Sequence, residues 1–437
     1  MRVMPTHSAP APQPAARSPQ RRVLILIENL PAPFDRRVWQ QATTLQAAGY
    51  GVSIICPTGK GYEARHECLN GIHIYRHPLP FEASGVLGYA LEYGAALFWE
   101  FRLAFTVWRR HGFDVIQACN PPDLLFLVGG FFKLLAGKKF IFDHHDLNPE
   151  LFEAKFGRRG PLRRLMYRLM CGLERLTFAT ADVSMATNES YRRIAIERGR
   201  MAPERVFVVR SGPSLERMRR VAPVAAWRHG RQHLVGYVGV MGAQEGIDIL
   251  LRVAHHITHT LGRRDIHFAL VGGGTSLDAM KAYAQALGVS EYVTFTGRVN
   301  DATLIEVLNT ADVCVNPDVP NALNDLSTMN KIMEYMALAK PIVQFDLREG
   351  RVSAQEASLY AKPHDEADFA AQIIHLIDHP EERQRRGQFG LRRVQSELAW
   401  EHEAPKLLGA YEAVWAGKRS APQGKAAQRS GQAGHAP

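Results

Sequence analysis

The chain has 437 residues, 46% of them hydrophobic, which suits two α/β domains with separate cores and is too long for one. Its formal net charge of +10 calls for anionic partners: nucleic acid, an anionic membrane surface or phosphorylated substrates. Nucleic acid is set aside, because no RNP-type aromatic strand, zinc finger or helix-turn-helix accompanies the basic residues.

Residues 1–20, rich in Ala, Pro, Ser and Gln and without a continuous apolar stretch, read as a disordered tail and not as a signal peptide. Arg22 to Glu28 is an apolar run stopped by Pro31 and Pro33, the pattern of a buried parallel strand. A helix from Arg36 to Ala48 carries Val38, Ala42 and Leu45 at helical spacing and ends at Gly49. Strands are expected at Val52 to Cys56, Gly71 to Tyr75, Val115 to Ala118, Lys139 to Asp143, Asp182 to Met185 and Val206 to Val209. Between them, Gly85 to Val107 and Leu124 to Leu135 are apolar but broken by charge or too short to cross a bilayer, and read as core helices. Positive charge concentrates at Lys133, Lys138, Lys139, Lys155, Arg158, Arg159, Arg163, Arg164 and Arg168.

A first domain over 21–212 is followed by a polar, arginine-containing linker over 213–233. The strand and helix rhythm then restarts over 234–398. Strands are expected at Leu234 to Val238, Ile266 to Val271, Tyr292 to Thr296, Val313 to Asn316 and Pro341 to Phe345. Helices fall near Gly246 to Thr258, Ser276 to Ala286, Asp301 to Asn309 and Ser327 to Ala337. Residues 399–416 form a last helix that packs back toward the N-terminal domain, and 417–437 read as a second disordered tail. Cys56, Cys68, Cys119, Cys171 and Cys314 are scattered and form no CxxC pair, so they read as buried thiols in a reducing, cytoplasmic compartment.

Chemistry concentrates in a few segments. Thr58-Gly59-Lys60-Gly61 lacks the spacing of a phosphate loop, and Pro31-Ala32-Pro33-Phe34 stands where a dinucleotide enzyme carries its glycine fingerprint. Gly272-Gly273-Gly274 is either a tight turn or a site of close nucleotide approach. The Gly239 to Gly246 turn, with Gly242 between, has three glycines at a strand-to-helix junction and suits a diphosphate. Ser327, Thr328, Met329 and Asn330 open a helix whose unpaired amides and dipole favour an anion, with Lys331 adding a charge. Glu334, one turn on, is placed to accept from a ribose diol. In Asp143-His144-His145-Asp146, consecutive residues point to opposite sides, so the four cannot share one metal ion; a His–Asp pair facing the cleft is the better reading.

Taken together, Asp35 to Trp39, Cys119 to Asp123, Asp143 to Glu150, the Gly239 turn and Lys331 to Ala337 resemble family 4 glycosyltransferases of the GT-B fold, in particular the WbuB-like branch of bacterial surface polysaccharide assembly. That resemblance implies an α/β architecture of two tandem Rossmann-like domains facing across a cleft. It implies a retaining, metal-independent transferase with no cofactor and a nucleotide diphosphate sugar as donor. Glu334 matches the second glutamate of E-x7-E, Lys331 the lysine of KxxEYMA, and His145, with Asp146 beside it, the cleft histidine near the transferred sugar. The base would lie by Thr296, Gly297 and Arg298, and Asn120, Asp123 and Glu150 would face the acceptor from cleft loops. The acceptor would be a polyprenyl-diphosphate-linked or oligosaccharide glycan of exopolysaccharide, O-antigen or capsule, met at an anionic membrane surface.

Three departures stand out. Leu326 occupies the first E-x7-E position, where Asp325 or Asn324 could substitute if the loop is shifted by one or two residues. Val240 and Glu245 replace the usual cations of the Gly239 turn. Ala339 replaces the helix-stop glycine, at a cost of about 1 kcal/mol if the position is left-handed. A catalytically degenerate GT-B binding protein and a sugar-nucleotide epimerase are the alternatives.

Overall fold

The computed structural model describes residues 20–78, 85–157 and 159–416, with the side chains of 85–93, 155 and 243 outside the description. The tails expected at 1–20 and 417–437 lie outside it except for Gln20, as do Arg158 and the side chain of Lys155.

The first sheet holds β1 (Arg22–Leu26), β2 (Gly51–Pro57), β3 (His66–Leu69), β4 (Ile72–His77), β5 (Val115–Cys119), β6 (Lys139–His144), β7 (Val183–Ala186) and β8 (Val206–Val208). Its order is β3-β4-β2-β1-β5-β6-β7-β8, parallel throughout except for the antiparallel β3–β4 pair. The second sheet holds β9 (His233–Val238), β10 (Ile266–Val271), β11 (Val293–Gly297), β12 (Val313–Asn316), β13 (Ile342–Phe345) and β14 (Ser358–Ala361), in the order β11-β10-β9-β12-β13-β14 and all parallel. The strands are apolar because helices cover both faces. Each sheet reverses its winding beside its first strand, between β1 and β5 and between β9 and β12, and crevices open at the carboxyl ends of strands at such points.

The helix Trp400–Trp415 returns to the first sheet, where Leu407, Ala410, Tyr411 and Val414 join the core built on β1, β2 and β5. The sequence missed β3 and β14, which are short and only partly apolar.

Three expectations are corrected. The helix expected from Ser327 begins at Asn330 and runs to Ala337, and a separate short helix, Ala322–Leu326, capped by the Asn321 side chain, precedes it. Cys68 is exposed and Cys171 half-buried, so the thiols are not uniformly interior. The apolar helices of the first domain are not wholly core: Phe98 is 62%, Leu134 88% and Leu135 72% exposed.

Candidate active site in the cleft

A first polar centre forms at the carboxyl ends of β5 and β6. Asp35 caps the helix Arg36–Ala47 by accepting from the Val38 amide at 2.9 Å, which directs Arg37 in the first turn toward β6. The buried Arg37 guanidinium donates to Asp143 Oδ1 at 2.7 Å, to Asp143 Oδ2 at 3.3 Å and to the Val209 carbonyl at 2.8 Å. His145 Nε2 lies 2.8 Å from Asp143 Oδ2 and 2.9 Å from Arg37 Nε. Both groups compete for that nitrogen; the carboxylate is the stronger partner for a proton on it, and Arg37 keeps its own bond to the same oxygen.

Burial opposes charge on His145, but Asp143 and then Cys119 outweigh it and raise the imidazole well above its usual pKa. Burial also opposes charge on Asp143, and Arg37 and His145 overcome it, holding the carboxyl well below the usual range. The result is a cationic centre with one carboxylate between two cations. Cys119, Asp143 and His145 are close enough to share an ion. The Arg37 charge already bound to this cluster works against a second cation, and burial pushes the Cys119 thiol up, away from the thiolate a metal requires.

Behind this centre runs a buried polar chain. Asp143 Oδ2 accepts from Gln41 at 2.7 Å and Gln117 at 3.2 Å, and Gln117 Oε1 accepts from the Tyr411 hydroxyl at 2.5 Å. The last helix thus braces the His145 loop from the far side of the sheet. Asn120 braces it from the near side: its Oδ1 accepts from the His145 and Asp146 amides at 2.7 and 3.2 Å, and its Nδ2 donates to the Asp146 carbonyl at 2.7 Å. His144, one residue along the strand, points the other way and lies 3.6 Å from Glu174 Oε1 in the core.

The second centre rests on the helix Asn330–Ala337. Ile332, Met333, Tyr335, Met336 and Ala337 are buried, as is Lys331, while Glu334 is half-buried; Lys331 and Glu334, three residues apart, share one face of the helix. Tyr335 staples β9 to β12: its hydroxyl accepts from the Val238 amide at 2.9 Å and donates to the Val315 carbonyl at 3.2 Å. The Gly239 turn is thereby fixed above Lys331, and a Cβ on Gly239 would sit 3.4 Å from Lys331 Nζ. That ammonium donates to Asp318 and to Glu245, each at 3.1 Å, over the face of Tyr237. Burial works against its charge, yet Asp318, with Glu245, holds its pKa well above the usual value. Burial pushes the Asp318 carboxyl up to about 6 against the pull of Lys331. The two carboxylates differ in freedom: the Asp318 side chain is 2% exposed and that of Glu245 19%.

The glycine loops pack on one another. A Cβ on Gly272 would lie 1.9 Å from the Gly239 carbonyl oxygen, and one on Gly274 2.5 Å from that of Met241, so these glycines are required by backbone contact. Gly272 also bridges to Gly297, and Gly273 lies against Arg298. Gly242 carries Gln244 above it. Thr296 Oγ1 donates to the Gly297 carbonyl, and Arg298 reaches across the cleft to the ring of Phe34 at 5.2 Å.

Other site residues stand differently from expectation. Asp325 accepts from the Arg348 amide at 2.9 Å at the start of the next helix, so it serves that helix and not the Lys331 cluster. Ser327 and Thr328 lie before the helix start and meet the first domain: Ser327 Oγ lies 3.1 Å from the Tyr191 hydroxyl, and Thr328 Oγ1 accepts from Asn188 at 3.0 Å. Met329 is the N-cap position, half-buried and packed against the core, and Asn330 begins the helix, exposed. Asn120 and Asp123 are buried and bonded to each other at 3.0 Å; burial pushes the Asp123 carboxyl up to about 6. Glu150 lies within the helix Asn148–Phe156 and pairs with Arg198. Asn120 and Asp123 are thus closed off from solvent, and Glu150 stands on a helix rather than a loop.

Glu334 pairs with Arg217 of the linker, which also reaches Asp301 at 3.5 Å, and Arg36 meets Asp301 at 2.5 Å from the first domain. The residues that sequence reasoning missed are Arg37, Asp318 and Arg217. Arg37 stood inside a recognised motif, but nothing in its spacing marked it as buried.

Two family descriptions match the chain: "Glycosyl transferase 4-like domain" over residues 35–212 and "Glycosyl transferases group 1" over 232–379. A D-inositol 3-phosphate glycosyltransferase from Nocardia farcinica is 26% identical over 55% of this chain and 54% of its own length, so the chain spans about half of that curated relative. Among solved structures, a sucrose-phosphate synthase from Thermosynechococcus elongatus is 17% identical, with a TM-score of 0.72 over 90% of this chain and 98% of that one. The Anabaena protein HepE in complex with UDP-glucose is 13% identical, with a TM-score of 0.67 over 90% and 99%. At these identities the two structures establish the GT-B fold.

Proposed function

The chain belongs to the group 1 glycosyl transferases, and from that membership we propose that it moves a sugar from a nucleoside diphosphate donor to an acceptor hydroxyl, with retention and without a metal. The observation that carries this reading is the Lys331 ammonium, buried beneath the Gly239 turn with Glu334 one helical turn away. A diphosphate entering above Gly239 meets that cation and the amino end of its helix, where leaving-group charge is stabilised. Asp318 is sealed in place, whereas Glu245 has room to turn outward, so the donor replaces Glu245 as the second anion on Lys331. Glu334 accepts from the ribose hydroxyls. Opposite, protonated His145 donates to the transferred sugar, held by Asp143. The HepE structure with UDP-glucose supports a uridine donor, and KxxEYMA supports the WbuB-like polysaccharide branch.

The lipid-linked acceptor is supported by the helix Pro161–Thr180, on which Leu162, Leu165, Leu169 and Leu176 form an exposed stripe interleaved with Arg163, Arg164, Arg168 and Arg175. Among the described residues no helix is long and apolar enough to cross a membrane, so contact there is peripheral. Salt-sensitive flotation with anionic vesicles, lost in Leu165→Glu/Leu169→Glu, is the expected outcome; salt-independent binding removes this part.

Transfer from UDP-, GDP- and dTDP-sugars to a polyprenyl-diphosphate acceptor tests the whole reading, with Lys331→Ala as control. A second reading, donor binding without turnover, is favoured by the fact that Lys331 is already neutralised and Asp325 is committed to Arg348. It predicts affinity with no transfer.

A further inference from the structure

At the outer edge of the first sheet, β3 pairs with β4 so that His66 opposes Tyr75 and Cys68 opposes His73. The period of two puts all four side chains on one face, the face on which Tyr75 packs with Ala104 and Val107 of the helix Gly85–Arg110. His111 follows that helix and completes the group. Its ring stacks on His73 with centroids 4.0 Å apart, and His66 and His73 lie 5.8 Å apart. One ligand nitrogen from each of the three histidines lies within 4.8 Å of the other two. His73 Nδ1 is buried with no hydrogen-bond partner among the described residues. The Tyr75 hydroxyl lies 2.7 Å from His111 Nε2, which orients that ring and leaves its other nitrogen for a ligand.

We propose that His66, His73 and His111 form a binding site for a divalent transition metal of the zinc class; Cys68, exposed and opposite His73, stands outside the three-histidine group and would have to turn in to supply a fourth ligand. Imidazole and thiolate are the donors such ions prefer, and a four-coordinate set closes a structural site. Metal–nitrogen bonds of about 2.0–2.1 Å draw the nitrogens closer than they stand, and His66, exposed on the edge strand, is the ring free to turn. Bound metal would clip the edge strand to the end of the helix Gly85–Arg110. Because His111 precedes β5 and His73 lies near the start of β4, the site is at the amino ends of the strands, away from the cleft.

The test uses the full chain, stripped by a chelator and titrated with Zn²⁺ and Co²⁺. Expected are saturable binding of one ion per chain, a rise in Tm with Zn²⁺, and at least about tenfold weaker binding in His73→Asn and His111→Gln. A sulfur-to-cobalt charge-transfer band that disappears in Cys68→Ser identifies the fourth ligand. Nucleoside diphosphate binding stays unchanged in these variants, which separates this site from the donor site. Absence of saturation by about 100 μM, or equal binding in wild type and both histidine variants, overturns the proposal.

Discussion

The two faces of the cleft hold their charges differently. On the N-terminal side, Asp143 is gripped by Arg37, His145, Gln41 and Gln117, and the chain continues to Tyr411, so every member is fixed by elements distant in sequence. On the C-terminal side, Lys331 has one sealed carboxylate, Asp318, and one that reaches solvent, Glu245. The first arrangement is preorganised and has nothing to exchange. The second has one partner to give up, as the proposed diphosphate site would need.

The comparison breaks most readily at Arg37. Arg37→Met leaves Asp143 buried beside a single cation, and a stability loss of about 3–5 kcal/mol is expected by denaturant titration, against an insensitive result if the cluster is loosely held. The same cluster sets an acid limit. Asp143 is depressed in the folded state, so its contribution is complete above an unfolded carboxyl pKa of about 4 and is lost as pH falls below it. Lys331→Ala should lower turnover by about 10²–10³-fold while the melting curve still shows a cooperative fold, as the proposed role of this group on the leaving diphosphate requires. Glu334→Ala should act mainly through donor KM.

Glu245→Gln sharpens the contrast in the opposite direction. Donor affinity should rise several-fold, by about 1 kcal/mol, because the exchangeable anion is gone; lower affinity would mean that Glu245 itself contacts the donor. Affinity of the wild type should also rise as pH falls toward 6, where Asp318 takes up its proton and one negative charge beside Lys331 disappears. Tyr411→Phe strands Gln117 Oε1 in the core and should cost about 1–3 kcal/mol, with a modest loss of activity through the His145 loop. The smallest effect is Ala339→Gly. Ala339 has a φ of 56°, in the left-handed region, and glycine there should stabilise the fold by about 0.5–1 kcal/mol.

The strands were legible because β1, β9 and β10 are largely apolar, with His267 the one polar residue inside β10; the last helix packs on the core of the first sheet. The strand β3 was not, since its alternating, half-exposed residues carry little apolar signal. The helix start was placed three residues early because the polar run 324–330 suggests one cap, whereas Asn321 caps an earlier turn. Lys331, Glu334 and His145 were legible as types in a motif; their partners were not. Asp318 lies 13 residues before Lys331 and Arg37 lies 106 before Asp143, and only the packing of separate crossovers brings them together.

Calorimetric titration of UDP, GDP and dTDP into wild type, Lys331→Ala and Glu245→Gln addresses the contrast between the two faces most directly. One nucleotide should bind the wild type, bind Lys331→Ala at least about tenfold more weakly, and bind Glu245→Gln more tightly. Equal affinity in all three proteins would show that the Lys331 cluster is a structural ion-pair network and that the diphosphate, if bound, sits elsewhere.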